Sequence, residues 1–186
     1  MTVTALIAVD VQRDFLPGGS LAVRDGDAVV GPLLRLAGDA DVVVATRDFH
    51  PAGHVSFAER GGPWPAHCVA GTPGALLHPD VDRVAQLVVS KGMNPEVDAY
   101  SGFDGTGLDA ILRSLGVEEV VIGGLATDYC VRATALAARA AGFPTTVVGA
   151  AVRAVEVETG DGERALDEIR AAGVRVTAAG PEAGAA

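Results

Sequence analysis

The sequence predicts an α/β fold, a doubly wound three-layer sandwich around a central, mostly parallel sheet of about six strands. Short apolar runs rich in Val, Ile and Ala alternate along the chain with segments whose apolar residues recur at the helical period. The apolar runs are nearly continuous, which is typical of strands that are buried on both faces of a sheet. With no internal repeat and no linker in 186 residues, we predict a single domain over residues 1–186.

The predicted strands are apolar runs bounded by polar residues or glycine. In chain order they span residues 5–9, 41–45, 85–89, 119–123, 145–149 and 174–177. The predicted helices carry apolar residues three and four positions apart, over residues 27–36, 108–115, 129–141 and 160–172. The tail, residues 178–186, is rich in Ala and Gly, and we expect it to be frayed.

The segment 49–82 shows little periodicity. It contains all four histidines, the only Trp and one of the two cysteines. Loops of this length are uncommon in compact domains and usually act as lids or binding loops. We therefore predict a metal-binding or lid loop here rather than a disordered insertion.

Charge and composition exclude several classes of partner. The net charge of −10 is spread without a basic patch, which argues against binding to nucleic acid or to an anionic membrane surface. No apolar run approaches the ~18 residues that span a bilayer, and the first ten residues lack the basic start of a secretory signal. We expect a cytoplasmic protein with free thiols, a monomer or homo-oligomer, that acts on a small molecule.

Polar residues follow four consecutive predicted strands at the point where each strand ends. They are Asp10, then Asp48 with His50, then Lys91, then Cys130. Any one of them alone could be a helix cap or a surface residue. In open α/β sheets, however, ligands bind outside the carboxyl ends of the strands, so the set predicts an active site at this edge.

Cys130 is predicted to be a nucleophile. Its position at the start of a helix favours the thiolate, and so does a nearby ammonium. Lys91 is the only lysine among 14 basic residues, and a compact ammonium between Cys130 and Asp10 suits Lys better than planar Arg. Asp10 disfavours the thiolate, but we expect Lys91 to outweigh it, so that the pKa of Cys130 is lowered and Asp10 accepts the proton.

A second group combines imidazoles with a carboxylate, the donors that Zn, Fe and Mn accept. Its members are Asp48, His50, His54 and His67. The alternative is a set of ordinary loop histidines. His78 is the weaker candidate and is interpreted as structural. We predict one divalent metal ion and leave its identity open.

Three of the eight aromatic residues fall near the same edge. Phe15 follows Asp10, Trp64 lies in the long loop, and Tyr100 follows the third strand. Aromatic residues at such positions often belong to the core. Together they indicate a small flat substrate held between rings.

These motifs resemble the nicotinamidase/pyrazinamidase family of the isochorismatase-like cysteine hydrolases. The resemblance rests on ALIAVDVQRDFLPGGSLAV, ATRDFHPAGHVSF, WPAHCVAGTPGA, SKGMNPEVDAYSGF and GGLATDYCVRATALAA, in that order along the chain. It implies the doubly wound fold. It also implies deamidation of nicotinamide to nicotinate and ammonia, with pyrazinamide as a second substrate.

The resemblance also implies a role for each matching residue. Cys130 would attack the carboxamide carbon, Asp10 would move the proton, and Lys91 would stabilise the charged intermediate. The bond Leu125–Ala126 would be cis, and the backbone amides of Ala126 and Cys130 would form the oxyanion hole. The residues implied to contact substrate are Phe15, Trp64, Tyr100, Leu125, Ala126 and Tyr129.

The role of Asp128 and the alternative functions remain to be stated. Asp128 is interpreted as a helix cap. The nearest functional alternative is another cysteine amidohydrolase of the same superfamily that acts on a carbamoyl or ureido substrate. Such relatives share the Asp, Lys and Cys, whereas the metal ligands belong to the nicotinamide branch. A thiol redox protein would need a C-x-x-C pair, which the sequence lacks.

Overall fold

Six parallel strands form the centre of the protein in the computed structural model, which describes residues 2–178. They are β1 (Thr4–Val9), β2 (Val42–Asp48), β3 (Leu87–Lys91), β4 (Glu119–Leu125), β5 (Thr145–Arg153) and β6 (Arg175–Thr177). Their order across the sheet is β3-β2-β1-β4-β5-β6, and each neighbouring pair is parallel. The winding therefore reverses between β1 and β4, and such a switch point is where an open α/β sheet binds its ligand.

Helices cover both faces of this sheet and complete three layers. They are α1 (Val30–Asp39), α2 (Pro79–Val84), α3 (Leu108–Ser114), α4 (Arg132–Ala140) and α5 (Asp161–Ala171). The first two pack into one buried cluster and the other three into a second. In β1, Leu6 and Ala8 belong to the first cluster, while Ile7 belongs to the second. The predicted α/β sandwich is confirmed.

The strands run further toward their carboxyl ends than the sequence predicted. β2 ends at Asp48, β3 at Lys91, β4 at Leu125 and β5 at Arg153. Parallel pairing continues up to these residues, because Asp48 pairs with Lys91 and Leu125 pairs with Arg153. The extra residues place Asp48 and Lys91 on the sheet itself rather than on the loops beyond it.

The helix bounds also differ from the predicted ones. α1 follows a 3₁₀ turn, Gly26–Val29, and α4 follows a π-helical turn, Thr127–Val131, that contains Cys130. α2 was not predicted. It begins with Pro79 after His78, whose Nδ1 accepts a hydrogen bond from the Asp80 amide at 3.2 Å. His78 is therefore structural, as expected from the sequence.

The long loop, 49–82, is ordered by short helical turns and by contacts with the sheet ends. It contains two 3₁₀ turns, Ala58–Arg60 and Pro73–Ala75, and the beginning of α2. Bridges join Gln12 to Leu77 and His50 to Val69. The loop is therefore tied back to the carboxyl edge of the sheet, above the ends of β1 and β2.

Two features at the chain ends and at the switch point complete the fold. Of the predicted frayed tail, residues 179–186 lie outside the described residues, while the carbonyl of Ala178 accepts from the Ala150 amide at 3.2 Å. Gly124 has φ +122°, and a Cβ there would lie 2.1 Å from the Val9 carbonyl oxygen. Only glycine permits this approach of β4 to β1.

Across residues 2–178, no helix combines the length and apolar character needed to cross a membrane.

Candidate active site

The ends of β1, β3 and β4 bring Asp10, Lys91 and Cys130 together. Lys91 Nζ lies 2.9 Å from Asp10 Oδ2 and 3.4 Å from Cys130 Sγ. It also donates to Asp48 Oδ1 at 2.5 Å and to the Ala99 carbonyl at 3.3 Å. The ammonium is buried, so a single cation holds a thiol and two carboxylates around one atom.

Neighbouring strands fix Asp10 in this position. Its backbone is left-handed, with φ 49°, and its amide donates to the Thr46 carbonyl at 3.2 Å. The Thr46 hydroxyl donates to Asp10 Oδ1 at 2.6 Å. Oδ1 is thereby occupied, and Oδ2 faces Lys91, where it can accept a proton.

Gln12, a residue that was not predicted from the sequence, fixes Asp48 in a similar way. Its side-chain amide donates to the carbonyls of Asp48 at 2.7 Å and Ala75 at 3.0 Å, while its Oε1 accepts from the Asp48 amide at 2.7 Å. Gln12 is completely buried. The main chain at Asp48 is therefore clamped on both sides.

Two histidines direct their Nε2 atoms at Asp48. His50 Nδ1 donates to the Gly92 carbonyl at 2.9 Å, and His67 Nδ1 donates to the Pro65 carbonyl at 2.8 Å, since a carbonyl can only accept. Their Nε2 atoms lie 3.6 and 3.9 Å from Asp48 Oδ2. Histidine ligands commonly donate their second nitrogen to a carbonyl in this way.

The donor atoms of Asp48, His50 and His67 all lie within 4.8 Å of one another, and all three side chains are buried. Only a glycine at position 92 leaves room for the His50 ring, because a Cβ at Gly92 would lie 2.4 Å from the imidazole Cε1. Two imidazole nitrogens and one carboxylate oxygen suit a divalent transition metal. The cluster therefore fits the expected ion.

A small pocket opens between these groups. Asp48, His67 and Cys130 contribute polar atoms to its lining, and the remaining lining is apolar or aromatic. Of the residues expected to contact substrate, Phe15, Trp64, Tyr100, Ala126 and Tyr129 line it. Its other lining residues are Leu21, Val23 and Val155.

Three aromatic side chains contact one another at this pocket. Trp64 Nε1 donates to the Tyr100 hydroxyl at 3.1 Å, and the Trp64 ring meets Tyr129 edge-on with centroids 4.9 Å apart. Tyr100 and Tyr129 are 5.8 Å apart. Burial raises the pKa of Tyr100 to about 12, so its phenol is neutral near pH 7. The long loop, the segment after β3 and the turn after β4 therefore meet at this pocket.

Comparison with known proteins agrees with this geometry. The isochorismatase domain model matches residues 4–180. The chain belongs to the isochorismatase family. Over 184 residues it is 45% identical to the nicotinamidase/pyrazinamidase of Mycobacterium tuberculosis, an alignment that covers 92% of this chain and 97% of the relative.

Two solved structures have the same fold. A pyrazinamidase of Pyrococcus horikoshii in complex with zinc is 47% identical, with a TM-score of 0.87 over 94% of this chain and 98% of that one. PnC1 from L. infantum in complex with nicotinate is 38% identical, with a TM-score of 0.88 over 94% and 92% of the two chains.

In this family member, the resting Cys130 is a thiol rather than the predicted thiolate. Burial raises the pKa of Cys130 well above its usual value; Lys91 lowers it, while Asp10 and Asp48 raise it further. Asp48 was predicted only as a metal ligand, and it places a second carboxylate beside the same ammonium. Burial also raises the pKa of Asp10, against the effect of Lys91. Asp10 is therefore suited to accept the proton as the sulfur attacks.

The charge on Lys91 follows from the same contacts. Burial alone would lower the pKa of Lys91, but Asp10, Asp48 and Cys130 together raise it well above its usual value. Burial raises the pKa of a carboxyl, yet Lys91 and His50 hold that of Asp48 far below its usual value. Lys91 is therefore charged and Asp48 is ionised near pH 7.

His54 departs from the predicted ligand set. Its Nε2 lies 3.2 Å from the Val97 carbonyl and so carries the proton, while its Nδ1 accepts from the Ser56 hydroxyl at 2.8 Å. Its ring stacks on His50 with centroids 4.1 Å apart. Neither nitrogen directs a free lone pair at Asp48 in this structure, so His54 lies outside the cluster of three donors, and its role as a fourth ligand stays a prediction.

Two expectations about the turn before Cys130 need correction. The Leu125–Ala126 bond is cis, as the resemblance implied, but the Leu125 side chain is buried in the core and does not line the pocket. Asp128 does not cap the helix. Its carboxylate instead accepts the amides of Val155 at 3.0 Å and Glu156 at 2.9 Å, in the segment after β5.

Proposed function

We propose that this chain is a nicotinamidase that hydrolyses nicotinamide to nicotinate and ammonia, and pyrazinamide to pyrazinoate. The observation that carries the proposal is a buried Asp10–Lys91–Cys130 group opening into an aromatic pocket beside a cluster of two histidines and one aspartate. The first group supplies a nucleophile and a base. The pocket fits a flat ring, and the cluster fits a ring nitrogen through a metal.

In the first half of the reaction, Cys130 Sγ attacks the carboxamide carbon and its proton passes to Asp10. The charge that forms on the carboxamide oxygen is stabilised by the amides of Ala126 and Cys130, the oxyanion hole assigned from the family resemblance. Asp10 then gives the proton to the leaving nitrogen as the C–N bond breaks. Ammonia leaves, and an acyl thioester remains on Cys130.

In the second half, water gives a proton to Asp10 and attacks the thioester carbon. The C–S bond breaks, Asp10 returns the proton to sulfur, and nicotinate is released. Lys91 remains protonated throughout and offsets the negative charge as it moves between Asp10, Cys130 and the substrate. Each proton that Asp10 receives is returned within the cycle, so the site is restored.

Asp48, His50 and His67 would hold the divalent ion, which we leave as Zn, Fe or Mn. When bound, the ion supplies a Lewis acid for the pyridine nitrogen of the substrate. The protein then orients the ring between the walls of the pocket, with Phe15, Trp64 and Tyr129 around it. This division leaves the bond-breaking chemistry to Cys130 and Asp10.

The alternative, a cysteine amidohydrolase for carbamoyl or ureido substrates, is less well supported. Such substrates have neither a flat aromatic ring for this pocket nor a ring nitrogen for the donor cluster. We further propose that residues 1–186 act as one domain in the cytoplasm, in NAD salvage. A nucleic acid or membrane partner is not expected, and the monomer or homo-oligomer question stays a prediction.

Purified wild-type protein is expected to release ammonia from nicotinamide and from pyrazinamide. The measurement is a coupled ammonia assay with both amides, together with an aliphatic ureido acid of similar size. Turnover of the ureido acid without turnover of nicotinamide would replace our proposal with the alternative. The pocket explains the expected preference, because its aromatic walls contact a flat ring on several sides.

His50→Asn is expected to weaken metal binding by more than ~100-fold, since losing even an outer-shell partner typically costs 10–100-fold. His54→Asn is the matched control, because His54 stacks on His50 without directing a free nitrogen at Asp48. Metal content after dialysis against graded chelator, measured by elemental analysis, separates the two variants. Equal metal loss in both would return His54 to the ligand set.

A further inference from the structure

The β5–α5 loop, residues 154–160, forms a wall of the pocket that no sequence motif indicated. Val155 in this loop lines the pocket together with Ala126, Tyr129 and Cys130. Its side chain is partly buried and packs on the same core cluster as Phe15, Val23 and Leu125. Any movement of this loop therefore changes the width of the pocket beside the nucleophile.

The loop is held in place from the turn that carries the nucleophile. Asp128 is buried, two residues before Cys130, and each of its carboxylate oxygens accepts one amide of the loop. Oδ1 accepts from Val155 at 3.0 Å and Oδ2 accepts from Glu156 at 2.9 Å. Two acceptors on one rigid side chain fix two consecutive peptide groups, and with them the direction of the Val155 side chain.

The other end of the loop is fixed to α5 by Glu156. Its carboxylate accepts the Gly160 amide at 2.6 Å and the Gly162 amide at 2.9 Å. Glu156 itself has φ 57°, a left-handed conformation that is uncommon for a residue with a side chain. The loop therefore has a conformation that depends on its bonds to Asp128 and to the first turn of α5.

We propose that Val155 determines which ring substituents the pocket accepts. Asp128 is the positioning residue that holds Val155 in place. The Asp128 carboxylate holds Val155 against the pocket, and Val155 excludes aromatic carboxamides whose ring bears an extra alkyl group on that side. This inference rests on the proposed hydrolysis of an aromatic carboxamide. It adds a residue that touches the substrate ring and a second residue that acts only through the first.

The test compares nicotinamide with a panel of ring-methylated nicotinamides, by kcat/KM, in wild type, Val155→Ala, Asp128→Asn and the double variant. The readout is the ratio of kcat/KM for each methylated amide to that for nicotinamide. A loss of folded protein or of nucleophile alignment lowers kcat/KM equally for the methylated amide and for nicotinamide. The ratio therefore reports only on the pocket wall that Val155 forms. Asp128→Asn keeps the shape of the side chain but replaces one acceptor oxygen with a donor that faces an amide.

For at least one methyl isomer, the ratio is expected to rise by about tenfold or more in Val155→Ala, since one methylene in a tight pocket changes discrimination by 10–200-fold. Asp128→Asn should raise the same ratio several-fold. In the double variant, Asp128→Asn should raise this ratio by less than twofold beyond the effect of Val155→Ala, because both changes act on the same wall of the pocket.

Asp161→Asn is the matched control. Asp161 also accepts a loop amide through its carboxylate, from Glu158 at 2.8 Å, but it is not a lining residue of the pocket. Its ratios should equal those of wild type. If wild type hydrolyses nicotinamide and every ratio stays within twofold in Val155→Ala, the wall assignment is wrong. If wild type releases no ammonia from nicotinamide, the proposed function itself fails and this inference with it.

Discussion

Cys130→Ala is expected to lower kcat for ammonia release from nicotinamide by about 10⁴-fold or more, because removing a catalytic nucleophile typically has an effect of this size. The groups that meet at Lys91 Nζ are two carboxylates, a carbonyl and this thiol, so no other nucleophile of comparable strength is in place. A coupled ammonia assay at saturating nicotinamide measures the loss. At 1.36 kcal/mol per tenfold, it corresponds to ~5 kcal/mol of transition-state stabilisation.

Cys68→Ala provides the control, because Cys68 is the second free cysteine and is also buried. Burial raises the pKa of Cys68, as it does for Cys130, but Cys68 does not line the pocket and its sulfur is not among the groups that meet at Lys91 Nζ. Activity of this variant should stay within a few-fold of wild type. Quenched wild-type reactions should also show an acyl group on the peptide that contains Cys130. Substantial hydrolysis by Cys130→Ala would refute the thioester pathway.

The thiol form of the resting Cys130 adds an expected detail to this pathway. Burial keeps the proton on sulfur, while Asp10 lies on the same ammonium with its own pKa raised by burial. Proton transfer to Asp10 should therefore accompany the attack rather than precede it. During that transfer, the Lys91 ammonium offsets the negative charge of whichever partner, Cys130 or Asp10, is ionised.

Much of this fold was predictable because each strand is a continuous apolar run between polar boundaries. In β1, residues of both parities are buried, as expected for a strand covered by helices on both faces. α2 was missed because it has only six residues and begins with Pro79 inside a region without periodicity. The strand ends were set too early because Asp48 and Lys91 are polar, although parallel pairing carries the sheet through both of them.

The active site was predictable where function depends on strand order, and less so where it depends on the path of a loop. Asp10, Lys91 and Cys130 could be grouped because parallel strands end at one edge. Val155 could not, because an ordinary valine after a strand carries no signal until Asp128 is seen to bind its amide. His54 is a ligand prediction that stays untested. Its spacing suited a ligand, but Ser56 and Val97 occupy its nitrogens.

Asp48 links the two halves of the site. Oδ1 accepts from Lys91, whereas Oδ2 faces the Nε2 atoms of His50 and His67. One carboxylate therefore serves the catalytic ammonium on one side and the donor cluster on the other. The clamp from Gln12 on the Asp48 main chain keeps both sets of contacts in register. Substrate orientation and nucleophile alignment are consequently coupled through a single side chain.

Lys91→Met is expected to lower kcat/KM for nicotinamide by about 10²–10³-fold, the size typical for loss of one preorganised electrostatic group. It should also lower the free energy of unfolding by about 3–5 kcal/mol, because Asp10 and Asp48 are then left close together in a buried site without their cation. Ammonia release and urea unfolding of the same preparation measure the two effects. The control for protein preparation is Arg113→Lys. It keeps the charge on α3, where 54% of the Arg113 side chain is exposed.

Lys91→Arg separates charge from shape. Nζ has four partners around one atom, namely Asp10, Asp48, Ala99 and Cys130, whereas a guanidinium spreads its donors over a plane. The arginine variant should therefore recover part of the lost stability while remaining about 10²-fold less active than wild type. If it instead kept more than a tenth of wild-type kcat/KM, any buried cation would suffice. The presence of the single lysine of the chain at this position would then have no catalytic explanation.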